Sequence, residues 1–208
     1  MLFDDAASLA PEAVVQWFEL CAAALVTEEQ EAYRQLGLRT QLSSIVTDIL
    51  GVGASREDIA DYFADCREEL ELSAVLVLTA SAEARLRGDA AQRIEKSQDA
   101  LGKRFKVLRA NARTEWMIPL YDDGIVDAWK AFIASITNLV TPDKARLLTS
   151  IGRFKNLLDI RHWVAHGRYW KLQRGVEHFP PDVAADIVHE LYAALRMAAG
   201  LEGLMSFA

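Results

Sequence analysis

Residues 55–88, SREDIADYFADCREELELSAVLVLTASAEARLRG, decide how this chain folds. Ile59, Phe63, Cys66, Leu70, Ala74, Leu78 and Ala82 recur every three or four positions, which lines them along one face of a helix. Ser55 with Asp58 three residues later forms a capping-box pattern, Asp standing in for the usual Glu, and marks the helix start. Gly88 is the first glycine beyond, so the spacing predicts a helix of about 30 residues ending there. Ala74 and Ala82 are small and let a neighbouring helix approach closely.

Working outward, residues 89–110 read as a more polar helix, or one that frays. Residues 111–123 form the best candidate for an irregular crossover, because Pro119 removes an N–H and crowds the preceding turn. A helix over 125–139 follows. Thr141 and Pro142 then supply an N-cap and a first-turn proline to the next helix. Its apolar face is Leu147, Leu148, Ile151, Phe154, Leu157 and Leu158, and Gly167 ends it. Pro180, Pro181 and Asp182 restart the chain as a last helix carrying Val183, Ile187, Leu191, Leu195 and Ala198. Towards the N-terminus, Gly51-Val52-Gly53 closes a short helix over 40–50. This is no dinucleotide loop, since Arg56 stands where a third glycine would fall and no strand precedes it. Pro11 opens the first helix, with Val14, Trp17, Phe18, Cys21 and Leu25 at helical spacing. No stretch alternates long enough for a sheet. The expectation is an all-α chain, 1–208 forming a single helical domain. Acidic N-terminal helices (1–54) are added to a bundle (55–208) of antiparallel helices joined by short loops.

With 51% hydrophobic and 25% charged residues, the composition excludes wholesale disorder, and 208 residues suffice for a real core. The longest uncharged runs, 72–82 and 131–142, fall short of the roughly 20 residues that span a bilayer, and Met1–Ala10 lacks the basic start of a signal peptide. Cys21 and Cys66 match no metal-ligand spacing and read as small buried apolar residues suited to a reducing compartment. A soluble, cytoplasmic chain with no membrane association is expected. Trp17, Trp116 and Trp129 read as core.

The net charge of −7 is unevenly spread. Residues 1–83 hold 16 acids against 4 bases, whereas 84–114 hold 9 bases against 3 acids and 143–174 hold 8 against 2. Such segregation suits an anion-binding face and equally a set of solvated helices. The cluster Lys103-Arg104-Phe105-Lys106 carries both readings, as a solvated face or a second RNA contact.

Chemistry concentrates in Asp159-Ile160-Arg161-His162-Trp163-Val164-Ala165-His166-Gly167-Arg168. His166 falls in the last turn of its helix, where unpaired carbonyls and the dipole favour a protonated imidazole. Arg161 brings a planar guanidinium able to grip a phosphate with two hydrogen bonds. An arginine and a titratable histidine beside a phosphodiester are the minimum for transesterification by a neighbouring 2′-hydroxyl. With 16 Arg and 4 His, an Arg followed five to seven positions later by His arises about once by chance, so the spacing alone carries nothing. The fuller string carries it: Arg, a polar residue, three residues ending in Ala, then His-Gly at a helix end within a basic segment. Downstream, Arg168, Tyr169, Trp170, Lys171 and Arg174 interleave cations with aromatics, which suits single-stranded RNA and equally a loop pinned by buried rings.

The string from Arg161 to Gly167 resembles the motif of the HEPN superfamily, in which an Arg and a polar residue precede a His by a short spacer. Residues 70–86, with Ser81-Ala82-Glu83, are similar to an earlier bundle helix of the RiboL-PSP-type branch, and the looser helical likeness spans about 55–204. The resemblance implies a four- or five-helix bundle that homodimerises, bringing two motifs into one groove. It also implies metal-independent endoribonuclease activity leaving a 2′,3′-cyclic phosphate, with no cofactor, in toxin–antitoxin or other defence systems. By position, Arg161 and His166 become the catalytic pair and His162 the polar helper. RNA is the implied substrate, with Arg168, Tyr169, Lys171 and Arg174 as its contacts, and a cognate antitoxin or regulatory protein is an implied partner. Glu83 matches loosely and receives no role, and residues 1–54 match nothing in the family. Some members bind nucleotides or partners without cleaving.

Three alternatives stand beside this reading. Arg161 can pair with Asp159 or an acid on another helix while His166 only caps carbonyls. Asp159, His162 and His166 can share a face and hold a metal, although no fourth ligand is evident and His162 is followed by Trp163 rather than the Glu of a zinc-protease helix. The chain can also be a non-catalytic helical RNA- or protein-binding module, its acidic first 83 residues covering the basic face. On an undistorted helix, Arg161 and His166 point about 140° apart at ~100° per residue. Joint action therefore needs a distorted last turn or a groove between subunits.

Overall fold

A computed structural model describes residues 9–38, 53–114, 117–165, 179–204 and 206–207. Among the described residues the chain forms six helices and no strand: α1 (Pro11–Gly37), α2 (Arg56–Lys96), α3 (Ala100–Asn111), α4 (Ile125–Ser135), α5 (Thr141–Ala165) and α6 (Pro181–Leu201). The all-α expectation holds. The short helix expected over 40–50 lies outside the described residues.

α2 starts as its sequence dictates. The Asp58 N–H donates to Ser55 Oγ at 3.1 Å, and the Ser55 N–H donates back to Asp58 Oδ2 at 2.7 Å. Ser55 Oγ also donates to Asp58 Oδ2 at 2.7 Å, and this bond, together with that from the Ser55 N–H, holds the Asp58 carboxyl below its usual range. The helix does not stop at Gly88, however, but runs 41 residues to Lys96, about 60 Å at 1.5 Å per residue. A mid-helix glycine costs about 1 kcal/mol. Burial of Leu86, Ala90 and the Asp89–Arg93 pair just beyond it outweighs that.

The true stop is at Ser97, whose backbone is extended, and Asp99 caps α3 by accepting the Gly102 N–H at 2.6 Å. Gly102 is needed there, because a Cβ would meet Ser97 Cβ at 2.8 Å. Residues 89–110 are thus the end of one helix and most of another, not a single polar helix.

α2 is the axis, packing against each of the other five helices. The main core joins its Val75, Leu78, Ala82 and Leu86 to Phe105 of α3, Trp129 and Ile133 of α4, Ile151, Phe154 and Leu157 of α5, and Ile187, Leu191 and Leu195 of α6. α1 belongs to the same core through Val14, with Val15 and Phe18 packed against it. Beyond that, Ala32, Ile59 and Phe63 form a smaller cluster between the end of α1 and the start of α2. The acidic α1 packs on α2 and α6 rather than lying as a lid along α3 and α5. A His189 Nε2–Glu12 Oε1 contact of 3.1 Å ties α6 to α1.

Several sequence expectations change. Trp17 is 43% exposed rather than core, since Val14 and Phe18 occupy the packed side of α1. Trp129 is core as expected, and Trp116 lies outside the described residues. Cys21 and Cys66 are unpaired and half-buried rather than fully buried. α4 ends at Ser135 instead of 139, because Ile136 leaves the helix with extended ψ to bury its side chain, and Lys144 Nζ donates to the freed Ala134 carbonyl at 2.9 Å. Thr141 is already helical, the Val140 carbonyl taking the Lys144 N–H at 3.0 Å. Lys103 and Arg104 are exposed, Phe105 is core, and Lys106 Nζ donates to the Ser97 carbonyl. No described helix is long and apolar enough to cross a membrane.

Candidate functional site

Arg161 and His162 lie near the C-terminal end of α5, His162 in its last described turn. Leu157, Leu158 and Ile160 are buried and fix that turn against the core. Arg161 sits at the border of this buried face, its side chain 38% exposed. Opposite it, α2 presents Glu83 and Arg87, one turn apart and flanked by the buried Ala82 and Leu86. Glu83 Oε1 accepts from Arg87 Nε at 3.0 Å and Nη2 at 2.9 Å. Its Oε2 lies 3.5 Å from Arg161 Nη2. One carboxylate therefore holds two guanidiniums, tightly on its own helix and loosely across the interface.

Arg87 also reaches the crossover, donating from Nη1 to the Ile118 carbonyl at 2.8 Å. The crossover is irregular as Pro119 foretold, and it is tightly held. The Pro119 carbonyl accepts the Ile125 N–H at 2.9 Å and the Leu120 carbonyl accepts the Val126 N–H at 2.7 Å. Gly124 is required by close approach, since a Cβ there would stand 2.1 Å from the Pro119 carbonyl oxygen. Asp122 and Asp123 take left-handed backbone angles, φ 56° and 66°, a conformation that costs L-residues and that Asp tolerates better than most.

These three elements enclose an open pocket of about 430 Å³. α2 contributes Glu83 and Arg87, the crossover contributes Pro119 through Asp122, and α5 contributes Leu158, Arg161 and His162. Beside it, burial pushes the Asp159 carboxyl up from its ordinary value; Lys155 and His162 oppose the rise and Asp122 adds to it. Lys155 Nζ also donates to Asp127 Oδ1 at 3.0 Å, joining α5 to α4 behind the crossover. Chemically, the pocket combines a part-exposed guanidinium and an imidazole with apolar and aromatic walls. That mixture can bind a planar anion or an organic phosphate.

Of the residues expected from sequence, Arg161 and His162 meet in this pocket. His166, Arg168, Tyr169, Lys171 and Arg174 lie outside the described residues, as does Gly167. Arg161 pairs not with Asp159 but with an acid on another helix, Glu83, which stays in the pocket wall. Among the described residues no group of three or more His, Cys, Asp and Glu is placed to hold a metal.

Arg87, Tyr121 and Asp122 were not anticipated. The Glu83–Arg87 spacing of four is a readable intrahelical pair, and Asp122-Asp123-Gly124 is turn chemistry, but neither signal says that the two meet. Neither a protein-family model, nor a curated protein, nor a solved structure matches the chain at a significant level.

Proposed function

We propose that this chain is a metal-independent endoribonuclease of the HEPN type, a cytoplasmic defence or toxin protein that acts as a homodimer. Its reaction is transesterification. The 2′-hydroxyl loses its proton and attacks the adjacent phosphorus, the bond to the 5′-oxygen breaks, and that oxygen leaves with a proton, giving a 2′,3′-cyclic phosphate and a 5′-hydroxyl. Arg161 stabilises the charge on the phosphorane, His166 moves a proton, and His162 supports them as a polar helper. Arg168, Tyr169, Lys171 and Arg174 engage the flanking strand.

One observation supports this most directly. The Arg161 side chain remains 38% exposed on the wall of an open pocket, beside His162, even while paired with Glu83. At 3.5 Å that pair is longer than a strong charge-assisted hydrogen bond, so an incoming phosphate can compete for the guanidinium. The test is cleavage of mixed RNA in excess chelator. Wild type cuts and leaves cyclic phosphate ends, while Arg161→Ala and His166→Ala, with unchanged helical circular dichroism, lose at least 100-fold. Equal rates in wild type and both variants refute the proposal.

The Glu83–Arg161 pair also favours a second reading, a non-catalytic RNA- or protein-binding module in which Arg161 braces α5 against α2. That reading predicts salt-sensitive RNA binding without turnover, and a loss of thermal stability in Arg161→Ala comparable to that in Glu83→Ala.

A further inference from the structure

The described part of the crossover, residues 117–124, is more heavily bonded than a simple connection between helices needs. It is tied at Ile118 by Arg87, closed by the two backbone bonds to Pro119 and Leu120, and finished by the Asp123 N–H on Asp127 Oδ2 at 3.2 Å. Within it, two successive non-glycine residues hold left-handed backbone angles. Glycine would adopt them at no steric cost. Strain of this kind persists where the surrounding bonds over-determine it, and it concentrates at ligand sites. Its effect here is to place Tyr121 and Asp122 in the wall of the same 430 Å³ pocket as Arg161.

That volume falls within the roughly 300–1,000 Å³ of small-molecule sites. The wall includes Tyr121 and the apolar Pro119, Leu120 and Leu158, the arginines Arg87 and Arg161 and, besides the Glu83 carboxylate already held by both of them, the acid Asp122 with its carboxylate. A planar base with a phosphate attached matches that set. The ring and carbons take the base face, as in single-strand recognition generally. The Asp122 carboxylate chooses the base. An ionised carboxylate only accepts hydrogen bonds, and it binds best two parallel donors. Guanine alone among the four RNA bases presents two adjacent N–H donors, N1–H and N2–H, on its pairing edge. Cytosine and adenine offer one amino group beside an acceptor, and uracil offers one imino group between two.

We infer that the pocket is a guanosine subsite next to the scissile phosphate, with Tyr121 stacking on the base and Asp122 as the residue that selects it. This rests on the proposed reading of Arg161 as the cation that binds phosphate.

The experiment titrates the full chain calorimetrically with the 3′- and 5′-monophosphates of all four ribonucleosides. Cleavage sites on mixed RNA are mapped in parallel. Wild type binds a guanosine monophosphate at least tenfold more tightly than its adenosine, cytidine and uridine counterparts. Asp122→Asn keeps a residue that accepts the left-handed backbone, so its fold is retained; it loses that tenfold preference while the other three affinities stay within twofold. Tyr121→Leu weakens all four together.

Equal affinity for the four bases, no binding of any, or a guanosine preference that survives in Asp122→Asn overturns the inference. Guanosine-selective binding without RNA cleavage upholds the guanosine site beside an Arg161-bound phosphate and removes the nuclease reading. Cleavage without base preference does the reverse.

Discussion

Arg93 and Asp89 are 0% and 1% exposed, an ion pair buried in the centre of the bundle. Arg93 Nε reaches both carboxylate oxygens, at 3.1 and 2.9 Å, Nη1 lies 4.0 Å from Asp99, and the guanidinium stacks on Trp129 with 4.8 Å to the ring centroid. Arg93→Met keeps the stem and removes the charge, leaving Asp89 two poor options. It can stay ionised without its cation, or it can take a proton. At pH 7.5, protonating a carboxyl of ordinary pKa near 3.9 costs about 5 kcal/mol, and at pH 5 about 1.5 kcal/mol, at roughly 1.4 kcal/mol per unit. That sets the upper end of the charge penalty and agrees with the ~3–5 kcal/mol typical of breaking a buried pair.

Even in the wild type, burial pushes the Asp89 carboxyl up to about 6, against the pull of Arg93 and of the Trp129 indole. The folded protein therefore binds more protons than the unfolded chain between about pH 4 and 6. Stability from this group is fully present below that window and is lost as pH rises through about 6.

Urea unfolding followed by Trp fluorescence and circular dichroism measures these terms. Arg93→Met should lose ~3–5 kcal/mol at pH 7.5 and markedly less at pH 5. The double variant Asp89→Leu with Arg93→Met, which buries no charge, should recover most of the loss. A loss under about 1 kcal/mol, a loss independent of pH, or a double variant no better than the single one would refute the reasoning.

Two further perturbations test the elements that build the pocket. Gly124→Ala should cost more than 2 kcal/mol in chemical denaturation, because the new Cβ meets the Pro119 carbonyl at 2.1 Å in a loop whose backbone bonds resist relaxation. Unchanged stability would show that the crossover is softer than its hydrogen bonds imply. Ser55→Ala should lower stability by about 1 kcal/mol in a thermal melt by removing the α2 cap, and Ser55→Thr should retain most of it.

Local signals in the chain were read well where the cause was local. Ser55 with Asp58, Pro11 and the tandem Pro180-Pro181 mark helix starts within a residue or so of where they occur. Each acts through its own backbone and the next three residues. Pro119 likewise announces the break it makes. Gly88 misled because its propensity is a small local penalty, whereas the packing of Leu86, Asp89, Ala90 and Arg93 on other helices is a larger, non-local gain. Trp17 misled because hydrophobic spacing gives a face but not which side of a broad stripe meets the bundle.

The amino-acid order by itself determined that the described chain is helical, where most helices begin, and that Arg161 and His162 fall near the C-terminal end of the helix that begins at about Thr141. Those are matters of period, capping and backbone restriction, settled within a few residues. Tertiary structure alone decided that Glu83, 78 positions earlier, would be the acid beside Arg161, and that Arg87 would tie the crossover. It also brought Tyr121 and Asp122 to the same pocket. The physical reason is that such meetings depend on how α2, α5 and the crossover pack against a shared core, a sum over many distant contacts that no window of sequence contains.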